Sequence, residues 1–184
     1  TTANGCTATD QVVVTVNTTP PTADAGADFT KTCTTNPNGS QIGSAPVTGN
    51  TYSWSPVTGL SSSTIANPTA NPTATTTYTV TVTTTANGCT TTDQVVVTVN
   101  TTPPTADAGA DFTKTCTTNP NGSQIGSAPV TGNTYSWSPV TGLSSSTIAN
   151  PTANPTATTT YTVTVTTTAN GCTATDQVVV TVNT

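Results

Sequence analysis

The chain has no His, Glu, Arg or Met, and its charge is confined to seven Asp and two Lys among 184 residues. Without His there is no Ser-His-Asp or Cys-His relay and no imidazole metal site. Without Glu, paired-carboxylate acid–base chemistry would rest on Asp alone. The composition therefore points away from an enzyme. A net charge of −5 leaves almost nothing to neutralise phosphates, which excludes nucleic acid and anionic membrane surfaces as partners. No run of ~20 apolar residues is present, so no membrane insertion is expected. The chain opens with neither an initiator Met nor a signal-peptide pattern, which reads as an internal or processed piece of a longer protein.

What is abundant is Thr, 55 residues of it. Thr, Val and Tyr favour strands, while 14 Pro and 13 Gly interrupt any helix, so an all-β class is expected. The small net charge and the regular apolar alternation argue against disorder.

The tetrapeptide Ala3-Asn4-Gly5-Cys6 returns at residues 86–89 and 169–172, which fixes an internal period of 83 residues. The copies differ at one place, where Ala8 and Ala174 correspond to Thr91. Such a period is too long for a solenoid coil and suits one small sandwich domain. Pro20-Pro21 and Pro103-Pro104 cannot donate to a ladder, so each pair ends a strand and stiffens a linker. The expected organisation is a first repeat over residues 20–100 and a second over 103–183. Residues 1–17 then form the last strand of a preceding, truncated repeat. An orphan strand is seldom ordered alone, so residues 1–17 are expected to pair with another copy or to dock on the neighbouring repeat.

Within a repeat, strict alternation from Thr77 to Thr83 puts Tyr78, Val80 and Val82 on a buried face. An Asn87-Gly88 turn leads to a last strand with Val95, Val97 and Val99 on one side. Tyr52 and Trp54 share a face of a central strand, with the indole as core plug, and Phe29, Ile42, Leu60 and Ile65 are the other large apolar residues. This core is thin, so each unit should need a staple.

Five Cys supply it, at alternating spacings of 27 and 56. One scheme joins Cys33 to Cys89 and Cys116 to Cys172, with the partner of Cys6 in the preceding repeat. The other joins Cys6 to Cys33 and Cys89 to Cys116. Loop entropy hardly separates them, at roughly 3 to 4 kcal/mol each. The second scheme crosses the Pro-Pro linker and folds consecutive domains back on one another, which favours the first. That first scheme carries a tension. In an Ig-type sandwich the first and last strands run parallel, and Cys33 ends one while Cys89 starts the other. Disulfides imply an oxidising, extracellular location.

Residues 20–28 (Pro-Pro-Thr-Ala-Asp-Ala-Gly-Ala-Asp), Lys31-Thr32-Cys33, Thr51-Tyr52-Ser53-Trp54 and Asn87-Gly88-Cys89, with the last strand from Asp93 to Val99, carry a resemblance. The repeat resembles the PKD-like, Ig-like repeats of very large cell-surface adhesins in gliding Bacteroidota. The resemblance covers essentially the whole period. It implies seven-stranded sandwiches in an extended string, export to the cell surface, and an array role in an adhesive or motility-associated filament. The Trp-Asp-Phe-Gly-Asp-Gly stretch of PKD domains is replaced here by Trp54-Ser55-Pro56-Val57, so properties of those aspartates do not carry over.

Asp24, Asp28 and Asp93, and their counterparts Asp107, Asp111 and Asp176, are placed by a parallel first and last strand near one pole. There they are candidates for an oxygen cage around calcium, or for solvating strand ends and capping local N–H groups. Lys31 is the one cation of its repeat, a candidate for an isopeptide cross-link or a gatekeeper against edge pairing. No other cofactor is expected. The leading expectation is a non-enzymatic, disulfide-stapled stalk module whose partners are neighbouring repeats of the chain and other copies in a filament. A carbohydrate-binding accessory of a secreted enzyme, or a matrix or sheath fibre, are the alternatives. The carbohydrate reading requires an exposed aromatic strip.

Overall fold

Residues 5–183 are described in the structure, a computed structural model of the chain. The first repeat forms β1 (Phe29–Lys31), β2 (Ser40–Gln41), β3 (Asn50–Ser55), β4 (Thr69–Ala70), β5 (Thr76–Thr84) and β6 (Thr90–Val99). The second forms β7 (Phe112–Lys114), β8 (Ser123–Gln124), β9 (Asn133–Ser138), β10 (Thr152–Ala153), β11 (Thr159–Thr167) and β12 (Thr173–Val182). Six strands per repeat are thus formed where the resemblance implies seven. The stretch before β1 is extended by side-chain bonds rather than by a ladder, as described below.

Alternation builds the two longest strands of each repeat. Tyr78, Val80 and Val82 from β5 and Val95 and Val97 from β6 all face inward and are buried. Tyr78 stands opposite Val95, and Trp54 of β3 opposite Val80. The sheet order is β1-β6-β5-β3, antiparallel except that β1 joins β6 in parallel, with Phe29 opposite Val97 and Lys31 opposite Val99. β2 and β4 make a second, two-stranded sheet, extended by a bridge from Leu60 to Ala70. Ile42 and Ala70 from that side pack with Trp54, Tyr78 and the β5 and β6 valines into one core. The second repeat duplicates this arrangement around Trp137 and Tyr161. The fold is an all-β, Ig-like sandwich with a parallel first and last strand pair.

Trp54 is 2% exposed, and its indole N–H donates to the Ile65 carbonyl at 2.9 Å. This bond explains one departure from expectation. Ile65 is 45% exposed and Ala66 is buried in its place. The loop crosses the edge of β3, where the Trp54 backbone N–H donates to Ser63 O, so Ile65 offers its carbonyl inward and its side chain outward.

Residues 5–16 form no strand in the single chain; Val12 and Val14 are 87% and 78% exposed, whereas their counterparts Val95 and Val97 are fully buried. The valines are alike, and what differs is the body of sheet available to cover them. Residues 1–4 of that expected strand lie outside the described residues.

Candidate functional site

The chemistry of this chain concentrates where the first repeat meets the second. Lys31 lies opposite Val99, and the Asn100 N–H donates to Lys31 O, so the chain leaves the first repeat beside the end of β1. Immediately beyond β1, Thr32 builds a tight loop. Its hydroxyl accepts the N–H groups of Thr34 and Thr35 at 3.2 and 2.8 Å, and its own N–H donates to Thr35 O. This arrangement presents Cys33 at the exposed apex of the downstream pole.

The second repeat meets that apex with its β11–β12 hairpin. Asn170 is 5% exposed, and its Nδ2 donates to Asn100 Oδ1 and to Thr102 O, each at 3.0 Å, which clamps the linker. Its Oδ1 accepts the Cys172 N–H at 2.9 Å and aims the thiol-bearing residue at the first repeat. Gly171 adopts φ +67, and a Cβ there would lie 2.5 Å from Thr34 Cγ2, so the hairpin and the Cys33 loop are in direct contact. Cys33 and Cys172 form a disulfide with Cα atoms 5.0 Å apart, across a sequence separation of 139.

This pairing replaces the expected Cys33–Cys89 and Cys116–Cys172 bonds; Cys89 and Cys116 form no disulfide. The reason is the parallel strand pair. Cys33 follows the residue pair at the far end of β6, whereas Cys89 precedes its first residue. The length of β6 keeps them about 30 Å apart at ~3.3 Å per residue, against the ~7 Å limit for a disulfide. The alternative scheme, Cys6 with Cys33 and Cys89 with Cys116, is not formed either. Sequence reasoning weighed the neighbouring spacings and missed their combination with a full period. The available signal was the parallel first and last strands, which put the two Cys motifs of one repeat at opposite poles.

The aspartates are used one by one. Asp93 Oδ2 accepts the Ala25 N–H at 2.8 Å, Asp24 Oδ1 the Gly26 N–H at 2.9 Å, and Asp28 Oδ1 the Val96 N–H at 2.7 Å. Asp176, Asp107 and Asp111 bond Ala108, Gly109 and Val179 in the same way. Ala25 O in turn accepts the Gly43 N–H, so the segment before β1 is tied to both sides of the sandwich where no regular ladder runs. Two backbone N–H groups, of Ala108 and Gln177, hold the Asp176 carboxyl below its ordinary value of 3.8, with a small opposing effect of burial. Of the two roles open to these aspartates, the bonds made are those of backbone caps, and no group of three or more His, Cys, Asp or Glu side chains stands together as a cation cage among the described residues. Lys31 donates to Asn71 Oδ1 and to Pro72 O, and Lys114 likewise to Asn154 and Pro155.

Comparison with protein-family models and with curated proteins gave no match. Among solved structures, the chain is similar to a C-terminal 282-residue fragment of intimin in complex with the intimin-binding domain of its translocated receptor. Identity is 16% and the TM-score 0.44, over 78% of this chain and 57% of that one. It is similar to extracellular domains 3–5 of Drosophila OTK (13%, 0.42, covering 86% and 60%). It is also similar to extracellular cadherin domains 1–4 of protocadherin gamma B7 (13%, 0.41, covering 72% and 41%). The chain thus spans 41 to 60% of the length of these structures. At TM-scores below 0.5 they add nothing to the architecture read from the strand pairing.

Proposed function

We propose that the chain is a non-enzymatic, force-carrying spacer of an extracellular surface adhesin or filament, of the kind its sequence resembles in gliding Bacteroidota. The observation that carries this reading is the Cys33–Cys172 bond, which joins one repeat to the next directly across a short linker. A disulfide placed inside a unit would stabilise that unit. One placed between units holds neighbours docked under tension even when their non-covalent contacts fail. Such a bond fits an oxidising compartment outside the cytoplasm. The burial of Trp54 and Trp137 weighs against a carbohydrate-binding module, since the indoles serve as core plugs instead of a flat exposed platform. The exposed valines of residues 12–16 support an array in which the same strand sequence is covered by further copies of the sandwich.

The test is removal of one whole 83-residue period, in frame, from the protein displayed on a surface. The spacer reading expects a shorter reach with attachment retained. Complete loss of attachment would place the ligand site in the repeats themselves and overturn it. Saturable glycan binding by the 184-residue chain would favour the carbohydrate-binding alternative.

A further inference from the structure

We infer that Cys89 and Cys116 are inter-repeat bonding sites whose partner is an adjoining copy of the 83-residue unit, and that Cys33–Cys172 is one instance of a rule applying at every junction. The rule joins the Lys-Thr-Cys cysteine of one repeat to the Asn-Gly-Cys cysteine of the next. Under it, Cys116 takes the Asn-Gly-Cys cysteine of a following repeat and Cys89 the Lys-Thr-Cys cysteine of a preceding one. Each repeat then uses one cysteine at each pole and leaves none over.

Three observations carry the rule beyond the bond already formed. The loop presenting Cys116 is built as the loop presenting Cys33 is, with the Thr115 hydroxyl accepting the N–H groups of Thr117 and Thr118 at 3.1 and 2.7 Å. The clamp on the linker is also already in place one period upstream. Asn87 Nδ2 donates to Asn17 Oδ1 at 3.2 Å and to Thr19 O at 3.1 Å, matching the bonds of Asn170 to Asn100 and Thr102. Finally, Gly88 has the same positive φ as Gly171, yet a Cβ there meets nothing within 4 Å, whereas at Gly171 it meets Thr34. The space over Gly88 is the space that the Cys33-type loop of a preceding repeat would fill. The burial follows suit, since Cys172 is fully buried under that loop and Cys89 is half-buried without one.

Closing each bond converts two thiols into one S–S bond, and the two protons and two electrons pass to an external disulfide, which leaves as two thiols. In the resulting array, Cys89 and Cys116 lie 27 positions apart, and the segment between them runs along β6, through the linker and along the first strand of the next repeat. Segments of this kind, joined end to end by disulfides, form covalent lines through the array. Most of each sandwich, from the loop after Cys33 to the hairpin before Cys89, hangs outside them.

The experiment is disulfide mapping of the 184-residue chain extended at its C-terminus by one further 83-residue period, digested without reduction after oxidation with a glutathione redox pair. The expected result is Cys33–Cys172 together with a bond from Cys116 to the Asn-Gly-Cys cysteine of the added period, with Cys89 open to alkylation. Formation of Cys33–Cys172 in the same sample reports that the junctions are folded. A Cys116 that then remains open to alkylation, or that bonds Cys89, overturns the rule. Absence of Cys33–Cys172 removes its premise and overturns it as well. As a second variant, Cys116→Ser should leave the Asn-Gly-Cys cysteine of the added period alkylatable and the Cys33–Cys172 bond intact.

Discussion

Replacing Cys33 with Ser removes the staple without touching either core, and the cost can be worked from chain connectivity. Suppose one repeat unfolds while the other stays folded. The unfolded segment is then a closed loop of about 70 residues, from the bonded cysteine to the clamped linker, and closing such a loop is worth about 4 kcal/mol. When the second repeat also unfolds, the loop doubles, which adds only about 0.6 kcal/mol. The staple therefore opposes the first unfolding event and hardly protects against the second. In the oxidised chain the two repeats should melt as one transition, with van't Hoff and calorimetric enthalpies nearly equal. In Cys33→Ser the two nearly identical repeats should melt independently, with an enthalpy ratio near one half. The midpoint should fall by on the order of 10 °C, at roughly 2–4 °C per kcal/mol for a cooperative unit of two repeats. Differential scanning calorimetry reads both quantities. A midpoint and enthalpy ratio unchanged by Cys33→Ser would refute the reasoning, and Cys89→Ser serves as the control that should change neither.

Other outcomes follow from particular residues. Gly88→Ala and Gly171→Ala should each lose about 1–2 kcal/mol from the left-handed backbone, but only Gly171→Ala should slow formation of Cys33–Cys172, with relief by Thr34→Ala, as read by timed alkylation. Trp54→Ala should cost about 3–5 kcal/mol in the first repeat, and proteolysis should cut there before it cuts the second. Burial, partly offset by a hydrogen bond from Thr76 or Thr159, pushes the Tyr78 and Tyr161 phenols above 10.0. The folded chain thus holds those protons more tightly than the unfolded one, and denaturant melts should show stability falling as pH rises above 10.0. Asp176 has the opposite sign. Its folded pKa lies below 3.8, so its contribution is present above that value and is lost as pH falls through the lower folded one.

Much of one repeat could be read directly from the letters. Tyr78, Val80, Val82, Val95 and Val97 announce their burial through period-2 alternation, and Trp54 through its place two residues after Tyr52 on the same face. Ile65 could not be read in this way because residues 56–68 have no period, and a single indole-to-carbonyl bond decides which side chain turns inward. The pairing of Cys33 was hidden for a different reason. It depends on which pole each cysteine occupies, which depends on strand direction, and on a linker short enough to bring opposite poles of two repeats together. The aspartates were placed correctly near the first and last strands. Their task, however, is to bond the backbone of a segment that lacks a ladder, which spacing alone does not distinguish from a metal cage.

The claim that tension bypasses the sandwiches is tested most directly by pulling the oxidised chain from residues 5 and 183 in a single-molecule force experiment. With Cys33 bonded to Cys172, residues 34–171 lie in a closed loop, and the covalent path should straighten at about 140 Å, at ~3.5 Å per residue. Adding a reductant should release the loop and lengthen the limit to about 620 Å. An oxidised chain that extends to about 620 Å before any reductant is added would contradict the account.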